Sequence, residues 1–287
     1  MRSLLGEGKE NPLPKRVPGP QLPLGVIIAA ITLGLIALAA LFPWLLTGES
    51  PLETDSSATL QAPSAAHLFG TDQSGRDVFA RVVYGARYSL AVGLGATACA
   101  LLVGILLGVG AARGPRILDT ALSRFIDVVM AFPEFLLALI VIAVIGVGGA
   151  SIPVAVALAA IPAYARVARA ETLVVSQAGY ITAARALGVP PAAILFRHII
   201  PNILGPLLVM ATIGVGTAIV TASGLSFLGL GLQPPTPEWG LILSEGRNFL
   251  ATAWWIGVFP GLAITSTVLA ISAVGRHLRL RGEGRVS

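Results

Sequence analysis

Apolar residues in this chain gather into six long runs, over 24–46, 88–112, 117–147, 152–175, 203–222 and 251–274. An α-helix rises 1.5 Å per residue, so about 20 apolar residues cross a hydrocarbon core about 30 Å thick. The pattern predicts an all-α fold: a polytopic transmembrane helical bundle of six spans over residues 24–275. The first run is too long for a signal-peptide core and lacks a clear small-x-small cleavage site, so it reads as a retained span. The third run exceeds the length a bilayer needs. Its start carries Asp119, Arg124 and Asp127 and is expected to protrude into the cytoplasm. In the second run Gly104 and Gly108 form a Gly-x-x-x-Gly pair, which lets two helix backbones approach closely, within the bundle or between subunits.

The polar segments carry the remaining signal. Residues 1–23 are rich in proline and glycine and basic at Arg2, Lys9, Lys15 and Arg16; they read as a disordered cytoplasmic tail, and 276–287 as a second, basic one. Between the fourth and fifth runs lies Tyr180 to Asn202, too polar and too often interrupted to span. Tyr180, Ala183, Ala184 and Leu187 fall at i, i+3, i+4 and i+7, one face of a short helix, with Thr182 and Arg185 pointing elsewhere. Gly188 suits the left-handed residue after a last turn. Pro190 and Pro191 suit the start of a second helix, which carries Arg197 and His198 and is expected to end at Pro201. A small alanine-faced helix, a sharp turn and a basic helix make a docking plug.

The basic residues set the orientation. With both termini inside, the inner side holds the N-terminal tail, Arg113, Arg116, Arg124, Arg166, Arg169, Arg185, Arg197 and the C-terminal tail. The outer side then holds Arg76, Arg81, Arg87 and Arg247.

Composition narrows the class. The chain of 287 residues is 55% hydrophobic and 11% charged, with mean hydropathy +0.85. Soluble domains carry about 25% charge. A net charge of +5 raises nucleic acid as a partner, but the arginines are spread between apolar runs and form no single basic face. Cys99 stands alone, so no intrachain disulfide forms, and His67, His198 and His277 have no metal-ligand spacing. No phosphate-binding G-x-x-x-x-G-K-S/T loop, zinc-protease motif or nucleophile elbow is present, so ATP hydrolysis and intramembrane catalysis are not expected of this chain.

The segment 180–202 resembles the cytoplasmic coupling loop of ABC-importer permeases. That pattern runs Glu-Ala-Ala, three residues, Gly, nine residues, Ile-x-Leu-Pro. Ala183, Ala184, Gly188 and Pro201 match at the right spacing; Thr182 replaces the Glu, His198 the Ile and Ile200 the Leu. The segments 67–78, Phe132-Pro133, 196–202, 226–231 and 233–240 are similar to those of the second, C-type permease of the dipeptide, oligopeptide and nickel branch. The resemblance covers nearly everything from His67 to Gly275.

It implies an importer-type permease in the cell inner membrane, with both termini cytoplasmic. Implied partners are a homologous permease as heterodimer partner, two cytoplasmic ATPases docked on the coupling loops, and an extracytoplasmic substrate-binding protein. It implies no cofactor in this chain. Short peptides are the expected substrate. Nickel or another small solute in the same importer class, and a secondary transporter, are the alternatives. A secondary transporter would need mid-membrane carboxylates, for which Glu134 is the candidate.

Two further sites follow from the residues. The outer-loop turn built on Gly70, Thr71, Asp72, Gly75, Arg76 and Asp77 is either self-satisfied through its own charges or a contact for the binding protein or partner permease. Glu134 lies 13 residues before Val147 and Arg166 lies 14 after Ile152, both roughly 20 Å below the outer surface. They are expected to pair across antiparallel helices.

Overall fold

The computed structural model describes residues 23–282, in which the regular elements are helical. The tail segments 1–22 and 283–287 lie outside the described residues. Five helices are long and apolar enough to cross a membrane, and a bent pair of helices makes a sixth when the two are counted as one span.

α1 spans Leu24–Leu41, five residues shorter than expected. Phe42 leaves the helical conformation, with φ -132° and ψ 56°, and Pro43 opens a short 3-10 turn, Pro43–Leu45. A proline disfavours helical backbone in the residue before it, which ends α1 there. α2 runs Val78–Arg113, starting ten residues before the apolar run at Tyr88. Its N-cap is Asp77, whose carboxylate accepts from Ala80 N–H at 2.8 Å. The added turns hold the fully buried Arg81, which hydropathy reads as loop.

The expected third span is a correction. It is two helices, α3 Arg116–Val129 and α4 Glu134–Ile145, bent by 96°. Pro133 is the N-cap of α4. It cannot donate a backbone hydrogen bond, and it turns Phe132 away from helical backbone. α3 leaves Ile117, Leu118, Phe125 and Val128 exposed along one side.

α5 is Ser151–Ser176. α6, Gly179–Ala186, and α7, Pro191–Ile194, form the plug. The second plug helix does not end at Pro201. α7 passes through a π-helical turn, Leu195–Ile199, into α8, Ile200–Phe227. The wider turn sits just before Pro201 and absorbs the N–H that proline lacks. The glycine- and proline-rich loop after α8 holds α9, Trp239–Gly246, which hydropathy does not foresee. α10 covers Trp255–Gly282.

α2 is the central helix and packs most extensively on α5. The Gly104–Gly108 pair explains the closeness. A Cβ on Gly104 would stand 2.5 Å from Tyr164 Cβ, and one on Gly108 would stand 2.4 Å from the Ala165 carbonyl oxygen. The pair therefore serves packing within the bundle. Three core clusters stack along the bundle. Val78, Val82, Trp239, Ile242 and Ile256 fill the end where α2 begins. Ala138, Ile142, Val156 and Leu225 fill the middle. Val109, Tyr164, Ile181, Ile194 and Ile199 fill the end that carries the plug.

Candidate functional site

The plug is closed by its own backbone. Gly188 N–H donates to Arg185 O at 3.0 Å and Val189 N–H to Ala184 O at 3.1 Å, the two bonds of a Schellman turn. Gly188 sits at φ +76°, where a Cβ is disfavoured, as its place in the sequence requires. Pro190 and Pro191 then start α7.

The inner anchors are isoleucines. Ile181 is fully buried, and Ile194 and Ile199 join it in the core cluster with Tyr164 and Ala168. On the other side Leu187 is 83% exposed, Phe196 66% and Tyr180 49%. Thr182, Ala183, Arg185 and Arg197 are exposed beside them, as is Pro201, while His198 is half-buried, its ring 6.5 Å from that of Tyr180. The two alanines divide. Ala183 faces out, whereas Ala184 is half-buried against the chain's own core. Sequence spacing puts both on the docking face and does not single out Ile181. The apolar stripe that reveals Ile181 continues into Ile194 and Ile199, beyond the interruption at Gly188 and the prolines.

The turn at residues 70–77 lies at the opposite end of the bundle. Asp72 accepts from Ser74 N–H at 2.7 Å, Arg76 N–H at 3.0 Å, Arg76 Nε at 2.7 Å and Arg81 Nη1 at 2.5 Å. Glu245 of α9 accepts from Arg76 Nη2 at 3.0 Å and Arg81 Nη2 at 2.6 Å. Two guanidiniums and two carboxylates thus close a neutral network, with Asp72 and Arg81 fully buried. Asp77 caps α2 and receives His67 Nδ1 at 2.9 Å. Gly70 and Gly75 have φ of +72° and +73°, and a Cβ on Gly75 would lie 1.7 Å from Asp55 O. Trp255 Nε1 donates to Thr71 O at 3.0 Å, fastening the turn to α10. The charges of this turn satisfy one another. Glu245, 169 positions from Arg76, is the member that local spacing does not reveal.

Beside this network, Glu238 caps α9, accepting from Gly240 and Leu241 N–H at 2.9 Å each. Burial pushes its carboxyl above the ordinary carboxylate range, and these N–H donors pull it back.

Glu134 and Arg166 do not pair. Arg166 Nη2 meets Asp127 Oδ1 at 2.5 Å, and Arg169 binds Asp119 through Nε at 2.5 Å and Nη2 at 2.8 Å. The bend at Pro133 is the reason: it leaves α3 beside the end of α5, so the acids of α3 reach the arginines first. Glu134 opens α4 and lines a cavity of about 180 Å³ with Thr97, Tyr164, Met210, Thr217 and Arg279, between α2, α4, α5, α8 and α10.

The profile of the family described as binding-protein-dependent transport system inner membrane component matches residues 100–281. The dipeptide transport system permease protein DppC of Alkalihalophilus pseudofirmus is 44% identical over 253 residues, 88% of this chain and 83% of that relative. The glutathione transport system permease protein GsiD of Pectobacterium atrosepticum is 41% identical over 256 residues, 89% of this chain and 85% of that relative. Among solved structures, an inward-facing conformation of the MetNI methionine ABC transporter superposes with a TM-score of 0.57 at 20% identity, covering 69% of this chain and 95% of that one. An amino acid ABC transporter crystallised with histidines gives 0.56 at 16% identity, covering 70% and 94%. These two likenesses bear on the fold.

Proposed function

The chain belongs to the binding-protein-dependent transport system inner membrane component family, and from that premise we propose that it is the permease subunit of an ATP-driven importer of short peptides. The observation that carries the coupling role is the plug: Tyr180, Leu187 and Phe196 stand exposed on a base locked by three buried isoleucines. Exposed apolar groups of this size rimmed by Arg185 and Arg197 mark a protein contact. A closed Schellman turn and a continuous path from α7 into α8 give a rigid lever. Movement of a docked ATPase then reaches the spans directly.

The plug faces the cytoplasm, and both termini lie there. The arginine distribution supports this orientation, and two of the outer arginines, Arg76 and Arg81, are neutralised by Asp72 and Glu245. A homologous permease completes the pathway as the partner in a heterodimer, two ATPases occupy the two plugs, and an outer binding protein delivers substrate. The peptide assignment rests on the dipeptide and glutathione permeases among the relatives. The test is uptake of a labelled dipeptide by vesicles holding the permeases, ATPases and binding protein. Uptake that needs ATP and is lost in Leu187→Arg supports the reading. Dipeptide uptake without ATP, or none at all, overturns it.

A further inference from the structure

The cavity of about 180 Å³ behind Glu134 holds polar groups that the fold itself leaves unused. Glu134 makes no ion pair among the described residues. Tyr164 is 3% exposed, and its hydroxyl is buried without a hydrogen-bond partner. A glycine makes room for that hydroxyl, since a Cβ on Gly214 would lie 2.0 Å from Tyr164 Oη. Arg279 of α10 lines the same cavity, and it also lines a second cavity of about 510 Å³ with Glu171 and Met210. The rest of the first wall is mostly apolar, with Ala96, Ala160, Ala163 and Ala218 among its small residues and Thr97 and Thr217 as its further polar ones.

Charged groups inside a membrane bundle face one another or a substrate route. A buried hydroxyl left without a partner is an exception that calls for a ligand. Here a carboxylate, an unpartnered hydroxyl and a guanidinium share one small chamber.

We propose that this chamber holds a short peptide in its zwitterionic form during passage. The α-ammonium of the peptide donates to the Glu134 carboxylate and to Tyr164 Oη, and its terminal carboxylate meets Arg279. These three polar groups read the two termini, and the mostly apolar wall around them makes no demand on the identity of the side chains. Pockets that enclose drug-sized ligands measure about 300–1,000 Å³, so the chamber takes a small dipeptide, and the second cavity receives the remainder of a longer one. The inference rests on the peptide-importer reading above.

The experiment uses the permease–ATPase complex in lipid nanodiscs without binding protein. Thr217→Cys in a Cys99→Ala background places a thiol on the chamber wall, and maleimide labelling of it is timed. Dialanine is expected to slow labelling, and N-acetyl-dialanine to leave it unchanged. Glu134→Gln should raise the dialanine concentration for half-protection about tenfold, the loss of one charge-assisted contact. Tyr164→Phe, which removes only the orphan hydroxyl, should weaken protection in the same direction and serves if Glu134→Gln does not assemble. Equal protection by the two peptides, none by dialanine, or half-protection unmoved by these variants would overturn the site. Dialanine uptake by the complete importer separates the two failures. Uptake without chamber protection removes this site alone, and no uptake removes the peptide reading with it.

Discussion

Ala183 and Ala184 are neighbours with opposite duties. Ala183 is exposed on the plug, so Ala183→Arg is expected to abolish ATP-driven uptake while the melting temperature of the purified permease holds. Ala184 backs onto the core and accepts the Val189 N–H bond that closes the turn, so Ala184→Arg is expected to lower the melting temperature as well. Equal stability loss in both would place Ala183 inside the fold. The charge network makes a sharper case. Glu245→Gln leaves Arg76 and Arg81 with one carboxylate between them, and breaking a buried pair costs about 3–5 kcal/mol. Adding Arg76→Gln restores neutrality. The double variant is therefore expected to be more stable than Glu245→Gln alone, measured by thermal unfolding in detergent; simple additivity would deny that charge balance matters.

At the scale of elements, α2 and α5 depend on absent side chains. Gly108→Leu forces α2 from the Ala165 carbonyl and from Ala168 Cβ, 2.7 Å from the added Cβ. Overpacking of this kind costs about 1–3 kcal/mol. Gly110, two residues on and so on nearly the opposite face of the helix, has open space around it, so Gly110→Leu is the control and is expected to be near neutral in the same unfolding measurement. The plug gives a separate test of backbone alone. Gly188 has no atom within 4 Å of an added Cβ, so Gly188→Ala charges only the left-handed conformation, about 1–2 kcal/mol. Uptake is expected to fall more than stability, as the lever role proposed for the plug requires. Unchanged uptake would show that the plug tolerates a looser turn.

For the molecule as a whole, the proposed orientation is tested at the two ends of the bundle. A thiol from Gln61→Cys, near the charge network, is expected to react with an impermeant reagent in intact cells, in a Cys99→Ala background. One from Val189→Cys is expected to react only after the membrane is opened. The reverse pattern would turn the plug away from the ATPases and remove the coupling role. The Arg169–Asp119 and Arg166–Asp127 pairs belong to this scale too, since they tie the bent α3–α4 pair to α5. They sit at the plug end, where a change in α6 and α7 meets the spans.

Hydrophobic periodicity and composition by themselves determine that this chain is a membrane helical bundle, because apolar length is a local property and a bilayer reads it directly. The Gly188 turn and the start of α7 at Pro190 and Pro191 were equally legible, since backbone limits act within a few residues. Tertiary structure alone decided the rest. Arg81 and Glu245 lie 164 positions apart, and no local rule brings them together. The ten early residues of α2 are helical because of the Asp77 cap and burial against α9, features outside hydropathy. Pro133 was visible, but its effect was not: a proline can kink a helix or end it, and only the packing of α3 beside α5 chose the 96° bend. That choice sent Arg166 to Asp127 and left Glu134 facing the chamber. Which charges meet depends on where helices are placed, and placement is set by contacts far apart in the chain.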